Sequence, residues 1–384
     1  MDILRQIFTT KGGALTTALF GGCALFVAVA AISLSGKEEA QAASLTHSML
    51  AGFDAGGTDN VALSPASAVI ALGLTAEGAP DDVREGLPAE LSADAWTFPI
   101  PNAQTANAVW VNKGTDLKDA FAKAAADNWQ ADTQAVDFAQ DALGIVNAWA
   151  KEKTEGMIDP LMSEIPEDLA VVLTNAVYFK APWTRPFDPA ETEAAAFTKA
   201  DGSEVSAPFM TSPGAVKSGT FNAMQVVELT FGEDGAADGT AMYILLPNSG
   251  ADVSAQDPFA DMAAMKAALT EDVTVKLPRF KVSGGGDMTE MLSTAGYGAL
   301  MGASLTEMSP DAPQISMVVQ KCVVAIDEAG AEAAAATAVV TTRSVLQPEY
   351  PVITIDRPFY FVITDGTSPV PLFAGYVAEP ETAG

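Results

Sequence analysis

The chain has 384 residues, of which 49% are hydrophobic and 18% charged, a composition that supports a large buried core and excludes wholesale disorder. Its 20 Lys and Arg residues against 49 Asp and Glu residues give a net charge of -29, which disfavours nucleic acid as a partner because phosphate binding needs a basic surface. One histidine and two cysteines are too few for a His/Cys zinc site, and a single histidine disfavours a Ser-His-Asp hydrolase, so we expect no metal, no cofactor and no enzyme.

Residues 1–43 have the order of a leader for export. Arg5 and Lys11 precede a long uncharged run, and small residues follow at Ala42 and Ala43. This order is typical of a signal peptide cleaved after one of those two alanines. The apolar run is longer than is usual for such a segment, so an uncleaved membrane anchor facing outward is the alternative. We expect an exported protein, periplasmic or extracellular, that contacts the membrane only if this segment is retained.

The first half of the remaining chain alternates helix-like and strand-like segments. Residues 64–79 begin with a Ser-Pro helix start and continue with helical spacing of apolar residues. Residues 117–131 and 142–156 also have helical periodicity, and the second is predicted to end at Gly156. Residues 168–183 are rich in β-branched and aromatic side chains and predict a buried strand.

The second half consists mostly of predicted strands, interrupted by one predicted helix at residues 287–298. The strand predictions rest on apolar, β-branched and aromatic runs at 224–231, 240–247, 273–282, 315–327, 359–365 and 372–380. No internal repeat and no long linker is evident. Helices first and long strands later predict one α+β domain over residues 44–384, with large, mostly antiparallel sheets.

A run of small residues, DEAGAEAAAATAVVTTRS, extends from Asp327 to Ser344. It contains almost no side chain able to act as a nucleophile, a base or a ligand. If it is read with a period of two, one face carries only small or medium uncharged residues, at Ala331, Ala333, Ala335, Thr337, Val339 and Thr341. Glu332 lies on the other face. Such a segment can slide between existing strands, because inserting a bulky or charged side chain would cost on the order of several kcal/mol. An alanine-rich linker or an exposed helix is the alternative.

Six segments of the chain together resemble the serpin family, in the family's order and over nearly the whole body. They are residues 60–68 (NVALSPASA), 146–162 (VNAWAKEKTEGMIDPLM), 174–189 (TNAVYFKAPWTRPFDP), 275–282 (VKLPRFKV), 327–340 (DEAGAEAAAATAVV) and 356–380 (DRPFYFVITD to AGYVAEP). The resemblance implies the serpin fold, with a large mostly antiparallel main sheet, additional sheets, a cluster of helices and an exposed reactive loop at about residues 328–350. With the leader, it suggests an exported member of bacterial type.

The resemblance implies an inhibitor of serine proteases. In inhibitory serpins a protease cleaves a bond in the reactive loop and is trapped as an acyl-enzyme while the hinge of the loop inserts into the main sheet. The hinge carried over from the family comprises Glu328, Gly330, Ala331, Glu332, Ala333, Ala334, Ala335 and Ala336. Many inhibitory members have threonine or serine where this chain has Ala331, which is also small and uncharged. The intact alanines favour inhibition over the alternative, a non-inhibitory serpin that binds or carries a partner.

The position of the cleaved bond is left with two alternatives. If Glu328 and Gly330 are aligned with the family's hinge, the usual loop length places the bond between Ser344 and Val345. A loop one residue shorter places it between Arg343 and Ser344, and we favour this bond because trypsin-like pockets hold a carboxylate that receives arginine. The expected partner is therefore a trypsin-like serine protease, bound by a monomeric inhibitor.

The resemblance also implies a polar cluster at the point where the main sheet opens. Ser64, Ser67 and Asn175 match its members, whereas Gln320 stands where the family often has histidine. A glutamine side chain can both donate and accept hydrogen bonds. We therefore expect the cluster to persist without the pH sensitivity that histidine would supply.

Overall fold

The computed structural model describes residues 45–53, 55–249, 259, 261–331 and 349–380. Within them two sheets are covered by helices, and the predicted α+β class is confirmed. The helices are α1 (residues 45–52), α2 (Pro65–Gly78), α3 (Asp81–Arg84), α4 (Asp119–Trp129), α5 (Ala142–Lys153), α6 (Met262–Ala267), α7 (Thr289–Leu292) and α8 (Gly298–Met301). Short 3-10 turns occupy Ala89–Leu91, Ala93–Ala95 and Pro189–Glu191.

The strands of the described chain follow in sequence order. They are β1 (Val61–Leu63), β2 (Ala103–Asn112), β3 (Ala131–Val136), β4 (Val171–Phe179), β5 (Ala181–Pro182), β6 (Glu193–Thr198), β7 (Glu204–Thr211), β8 (Val216–Phe221), β9 (Met224–Thr230), β10 (Ala241–Pro247), β11 (Glu271–Pro278), β12 (Phe280–Asp287), β13 (Ile315–Ile326), β14 (Gly330–Ala331), β15 (Val352–Thr354), β16 (Phe359–Thr364) and β17 (Phe373–Val377).

The larger sheet has ten strands in the order β1-β17-β16-β10-β9-β8-β11-β7-β6, with β15 paired to β11. All of its pairs are antiparallel except that of β11 with β15. Sequence neighbours such as β8 and β9 can pair directly because an antiparallel pair needs only a tight turn. Apolar side chains of this sheet belong to the main hydrophobic core, together with those of α2.

The smaller sheet has seven strands in the order β3-β2-β4-β13-β14-β5, with β12 paired to the other edge of β13. Two of its pairs are parallel, β2 with β3 and β4 with β13. The first of these follows from the crossover through α4, since parallel neighbours need a long connection. β4 is buried along its whole length, as its nearly unbroken apolar sequence predicts for a central strand.

The two faces of β4 and β13 contribute to different hydrophobic cores. Leu173 and Val177 belong to the main core, together with α2 and the larger sheet. Val172 and Ala176, which alternate with them along β4, belong to a second core formed with α5. The centre of the smaller sheet is therefore covered on both sides.

Three predicted elements differ from the structure. The predicted strand 273–282 is divided at Arg279, since β11 pairs in the larger sheet and β12 in the smaller. The predicted helix 287–298 is interrupted, because Gly296 adopts a φ of 107° inside it. Helix α5 ends three residues before the predicted Gly156, where that glycine and Glu155 both adopt positive φ.

The described helices include none that is long and apolar enough to span a bilayer. The leader, residues 1–43, lies outside the described residues. Cleavage or retention of the leader therefore stays a prediction.

Candidate functional site

The sheet expected to open is the smaller of the two, since it contains Asn175 and Gln320 of the predicted polar cluster. Its centre contains a seam, which we define as the parallel pair of β4 and β13. The register of this pair places Asn175 beside Gln320 and Tyr178 beside Val323. The direct pairing ends there, although β13 continues to Ile326 and β4 continues, after Lys180, as β5. At that end of the seam the two strands are no longer each other's neighbours.

The two residues of β14 lie between the diverging strands. Ala331 pairs with Ile326 of β13 on one side and with Ala181 of β5 on the other, both in antiparallel orientation. Its side chain is completely buried. The start of the segment predicted to be the hinge is therefore already a strand of the smaller sheet.

A tight turn, residues 327–331, which we call the hinge turn, directs the chain from β13 back into this position. The Asp327 amide donates to the Gly330 carbonyl at 2.9 Å, and the Asp327 carboxylate accepts from the Ala329 amide at 2.8 Å. Gly330 adopts a φ of 146°, and a Cβ atom built on it would lie 2.1 Å from the Ala181 carbonyl oxygen. Because any side chain would collide with β5, the turn requires glycine at this position.

The hinge turn is bound along its backbone to the segment after β5. The Trp183 amide donates to the Ala329 carbonyl at 3.0 Å, and its indole Nε1 donates to the Asp327 carbonyl at 2.9 Å. The Phe187 amide donates to the Glu328 carbonyl at 2.8 Å. Trp183 itself stacks on Phe231, the residue that follows β9 of the larger sheet, with ring centroids 4.2 Å apart. Residues 183–187 thus connect the hinge turn to both sheets.

The Glu328 side chain is buried and ion-paired. Its Oε1 accepts hydrogen bonds from Arg279 Nε at 2.8 Å, from Arg279 Nη2, and from Thr192 Oγ1 at 2.5 Å. Burial alone raises the pKa of this carboxyl, but the bonds from Arg279 and then Thr192 outweigh it, and the pKa lies below its usual value. Sequence reasoning identified Glu328 but missed both partners.

Two members of the predicted polar cluster are in direct contact. Gln320 Oε1 accepts from the Ser64 amide at 2.9 Å, and Gln320 Nε2 donates to the Ser64 carbonyl at 2.7 Å. Ser64 Oγ donates to the Leu372 carbonyl at 2.6 Å and caps α2 by accepting from the Ser67 amide at 3.2 Å. Gln320 therefore ties one strand of the seam to the start of α2.

Asn175 lies beside Gln320 across the seam, but its side chain forms its hydrogen bond on the opposite side, with β2. Its Nδ2 donates to Asn107 Oδ1 on β2 at 2.5 Å, and Asn107 Nδ2 donates to the Trp129 carbonyl at 2.9 Å. Sequence reasoning missed Asn107. In the described part of the chain, Asn175 Oδ1 and Ser67 Oγ are buried without a hydrogen-bond partner. The seam thus contains one buried acceptor, Asn175 Oδ1, that has no hydrogen-bond partner among the described residues.

The rest of the predicted site is not part of the described chain. Glu332, Ala333, Ala334, Ala335 and Ala336 of the hinge lie outside the described residues, as do Arg343, Ser344 and Val345 of the two alternative reactive bonds. Within the described residues, no group of three or more His, Cys, Asp and Glu side chains could hold a metal ion.

We predict that Gln320→His makes the seam sensitive to pH. Neutral histidine can keep only part of the two-bond contact with Ser64, and protonation near its ordinary pKa of about 6.5 would leave a charge buried beside α2. The rate of spontaneous conversion to a non-inhibitory or polymeric form, followed by native gel electrophoresis, is expected to rise as pH falls from 8 to 6. The cleavage site is expected to stay the same. Conversion rates equal to those of the unaltered chain would contradict the role given to Gln320.

Comparison with known proteins identifies the architecture. Residues 40–380 match the family model described as Serpin (serine protease inhibitor). The chain is 33% identical over 362 residues to Serpin-Z2B of Triticum aestivum, covering 84% of this chain and 90% of that protein. It is 34% identical over 359 residues to Serpin-Z7 of Hordeum vulgare, with the same coverage.

Solved structures agree with the sequence relatives. Arabidopsis AtSerpin1 in its native stressed conformation is similar with a TM-score of 0.74 at 25% identity, covering 91% of this chain and 98% of that one. Thyroxine-binding globulin in complex with thyroxine is similar with a TM-score of 0.76 at 20% identity, covering 90% and 100%. The predicted serpin fold is confirmed.

The expectation of a member of bacterial type is not supported, because the sequence relatives named above are plant proteins. Export of the chain stays a prediction. The family description itself names inhibitors of serine proteases. The matched family model, the plant relatives and the shared architecture lead to one conclusion: this chain belongs to the serpin family.

Proposed function

We propose that the protein inhibits serine proteases as a suicide substrate. The serine hydroxyl of the protease attacks the carbonyl carbon of the reactive bond, the peptide C–N bond breaks, and the loop remains attached to the protease as an ester while the new amine departs. The protease supplies its own catalytic triad. The inhibitor's part is mechanical, since its loop must enter the smaller sheet before water hydrolyses the ester.

The observation that carries this proposal is the position of β14 between β5 and β13. A strand that continued from Ala331 along the seam would run antiparallel to both β4 and β13, which are parallel to each other. From the pairing of Ala331 with Ile326 and Ala181, six further steps along the loop bring Thr337 between Gln320 and Asn175. The existing register therefore supports insertion once β4 and β13 separate sideways, without a shift of either strand along its own axis.

Each face of the seam is covered by a hydrophobic core, and this accounts for small residues on both faces of the segment that would insert. In this register Ala333, Ala335 and Thr337 would face the main core with α2. Ala334, Ala336 and Ala338 would face the second core with α5, so these alanines also need to be small. Glu332 would lie beside Lys180, which is exposed. The one charge of the segment thus falls where solvent can reach it.

Two features supply a driving force for insertion. An inserted strand forms backbone hydrogen bonds on both sides, where the seam now has a single row between β4 and β13. The hydroxyl of Thr337 would in addition come beside Asn175, whose Oδ1 is buried without a partner. The uninserted state is then kinetically trapped, and cleavage of the loop releases it.

Arg343 makes a trypsin-like protease the proposed target, with Ser344–Val345 as the alternative bond. We predict that incubation with trypsin gives a complex that survives detergent, together with a C-terminal fragment beginning at Ser344. Denaturing gel electrophoresis and mass spectrometry of the fragment test this directly. Arg343→Ala is the matched variant, and it is expected to abolish the complex with trypsin while leaving the fold intact.

A clean cut at Arg343 without a detergent-stable complex would contradict inhibition. It would favour the alternative, a non-inhibitory carrier, and thyroxine-binding globulin shows that the same architecture can hold a small ligand. The small residues of the loop argue for inhibition, because bulky or charged side chains there would block insertion.

We propose further that the protein is exported and monomeric. N-terminal sequencing of the mature chain and its sedimentation mass test these two points.

A further inference from the structure

Strand β15 is an open edge of the larger sheet and lies directly after the reactive loop. It begins two residues after the predicted end of that loop at residue 350. Among the described strands it pairs only with β11, in parallel orientation. A strand with one neighbour leaves half of its backbone donors and acceptors without a sheet partner. The hydrogen bonds of β15 show which groups these are.

Val352 and Thr354 have backbone groups that point away from β11. The Pro351 carbonyl before them and the Ile355 amide after them both bond to β11, each at 2.9 Å. In a parallel pair with this register, Ile353 directs its amide and carbonyl to β11 and its two neighbours direct theirs to the other side. The described part of the chain therefore leaves two N–H and two C=O groups available to a further strand.

The Val352 side chain adds apolar surface to the same edge. It is 58% exposed, and no other large hydrophobic side chain among the described residues is exposed. Ile353, which alternates with it along β15, packs against the main core instead. When a peptide adds to a sheet edge, backbone hydrogen bonds supply affinity and alternate side chains supply specificity. This edge offers a partner both kinds of contact.

The position of the edge fits a protease that has bound the reactive loop. Val352 follows Arg343 by nine residues, which is at most about 32 Å of extended chain. A folded protease of about 200 residues has a radius of gyration of about 16 Å and therefore spans roughly 40 Å. A protease seated on the reactive bond thus comes within reach of β15.

We propose, resting on the proposed function, that the open edge of β15 is a second docking surface for the target protease. An extended segment of the protease would add as a strand beside Val352 and Thr354, with up to four backbone hydrogen bonds and an apolar side chain against Val352. This contact holds the protease before the reactive bond is cleaved. It would raise the rate of complex formation without changing the number of inhibitor molecules consumed per trapped protease.

Hydrogen exchange with an inert trypsin, whose catalytic serine is replaced by alanine, tests docking without cleavage. In the free protein the amides of Val352 and Thr354 should exchange fast, and the amide of Ile353, bonded to β11, slowly. Inert trypsin is expected to slow exchange at Val352 and Thr354 about tenfold or more and to leave Ile353 unchanged, as followed by NMR. Slow exchange that appears with rising protein concentration and no trypsin would indicate pairing of two copies, and would overturn the proposal.

Two variants of Val352 test the same contact with active trypsin. Val352→Pro removes one outward N–H at a place in an edge strand that tolerates proline. Val352→Gln keeps the whole backbone and removes the apolar contact. Each is expected to lower the second-order rate constant for complex formation about threefold to tenfold, as the loss of one contact of this kind predicts. The stoichiometry of inhibition should stay the same.

Ala194→Pro is the matched control on the opposite edge of the sheet. Ala194 on β6 pairs with Pro208, which has no N–H to donate, so the amide of Ala194 also faces outward. This variant places proline at an equivalent open position far from the loop in sequence. It is expected to leave the rate constant unchanged.

Unchanged exchange at Val352 and Thr354 with inert trypsin, or full rates in both Val352 variants, would overturn the docking surface. A covalent complex formed at full rate by those variants would leave the proposed inhibition intact. Protection of the edge by inert trypsin, with no covalent complex from active trypsin, would contradict inhibition and support the docking surface. The two proposals therefore fail separately.

Discussion

Glu328→Lys is expected to lower the free energy of unfolding by about 3–5 kcal/mol, because it replaces the buried partner of Arg279 with a second cation. The Glu328 carboxylate accepts from Arg279 and from Thr192, and the side chain is only 9% exposed. The lysine would leave Arg279 unpaired and push the hinge turn away from β11 and β12. Urea titration measures the loss of stability.

A charge swap separates the ion pair from the general cost of changing a buried residue. In the double variant Arg279→Glu and Glu328→Lys, opposite charges face each other again, and part of the lost stability should return. A double variant no more stable than Glu328→Lys would show that the pair itself contributes little.

Labelling of Cys322 gives a second readout in a Cys23→Ser background. Burial raises the pKa of its thiol to about 12, so faster labelling reports opening of the seam.

The contribution of Glu328 to stability is also expected to depend on pH. Its pKa is lower in the folded state than the ordinary value of 4.5, so the stabilisation is fully present above that value and is lost as pH falls through the lowered pKa. The difference in unfolding free energy between the unaltered chain and Glu328→Gln should therefore shrink in acid. A difference that stays constant from pH 7 to pH 3 would contradict the ion pair.

Cleavage of the loop is expected to raise the unfolding temperature by on the order of 10 °C or more. An inserted strand of about ten residues, with a net gain of about 1 kcal/mol per backbone hydrogen bond, would add roughly 10 kcal/mol. In a chain of this size each kcal/mol moves the midpoint by more than about 1 °C. Differential scanning calorimetry before and after limited proteolysis measures the shift. An unchanged midpoint would favour a carrier that does not insert its loop.

Ala335→Glu tests whether the small face must enter the sheet. In the proposed register its carboxylate would be buried in the main core without a partner, at a cost of about 2 kcal/mol or more. The variant should be cleaved by trypsin at the normal rate but form little covalent complex and gain little thermal stability. Ala195→Glu is the matched control, since Ala195 is exposed on β6. Normal complex formation by Ala335→Glu would contradict the register.

The sequence predicted several strands that are apolar along most of their length and missed others, among them β2, β3, β6, β7 and β8. β4, β13, β16 and β17 are dense in β-branched and aromatic residues, and all four were predicted. β6 was not, because its sequence EAAAFT has weak strand propensity and the strand exists through its pairing with β7. Local composition does not specify such edge strands.

The same limit applies to the site. Glu328 and Asn175 were found through resemblance, but their partners depend on contacts between distant parts of the chain. Arg279 lies 49 residues from Glu328 in sequence, and Asn107 lies 68 residues from Asn175. Gly330 is different, since its own φ of 146° already favours glycine.

The most direct measurement is a crystal structure of the protein after cleavage within residues 337–348. The account predicts a new strand between β4 and β13, antiparallel to both, with Thr337 between Gln320 and Asn175 and its hydroxyl bonded to Asn175 Oδ1. β4 and β13 would then no longer pair with each other. A cleaved structure in which Asn175 still lies beside Gln320, with the loop outside the sheet, would contradict insertion and the inhibitory mechanism built on it.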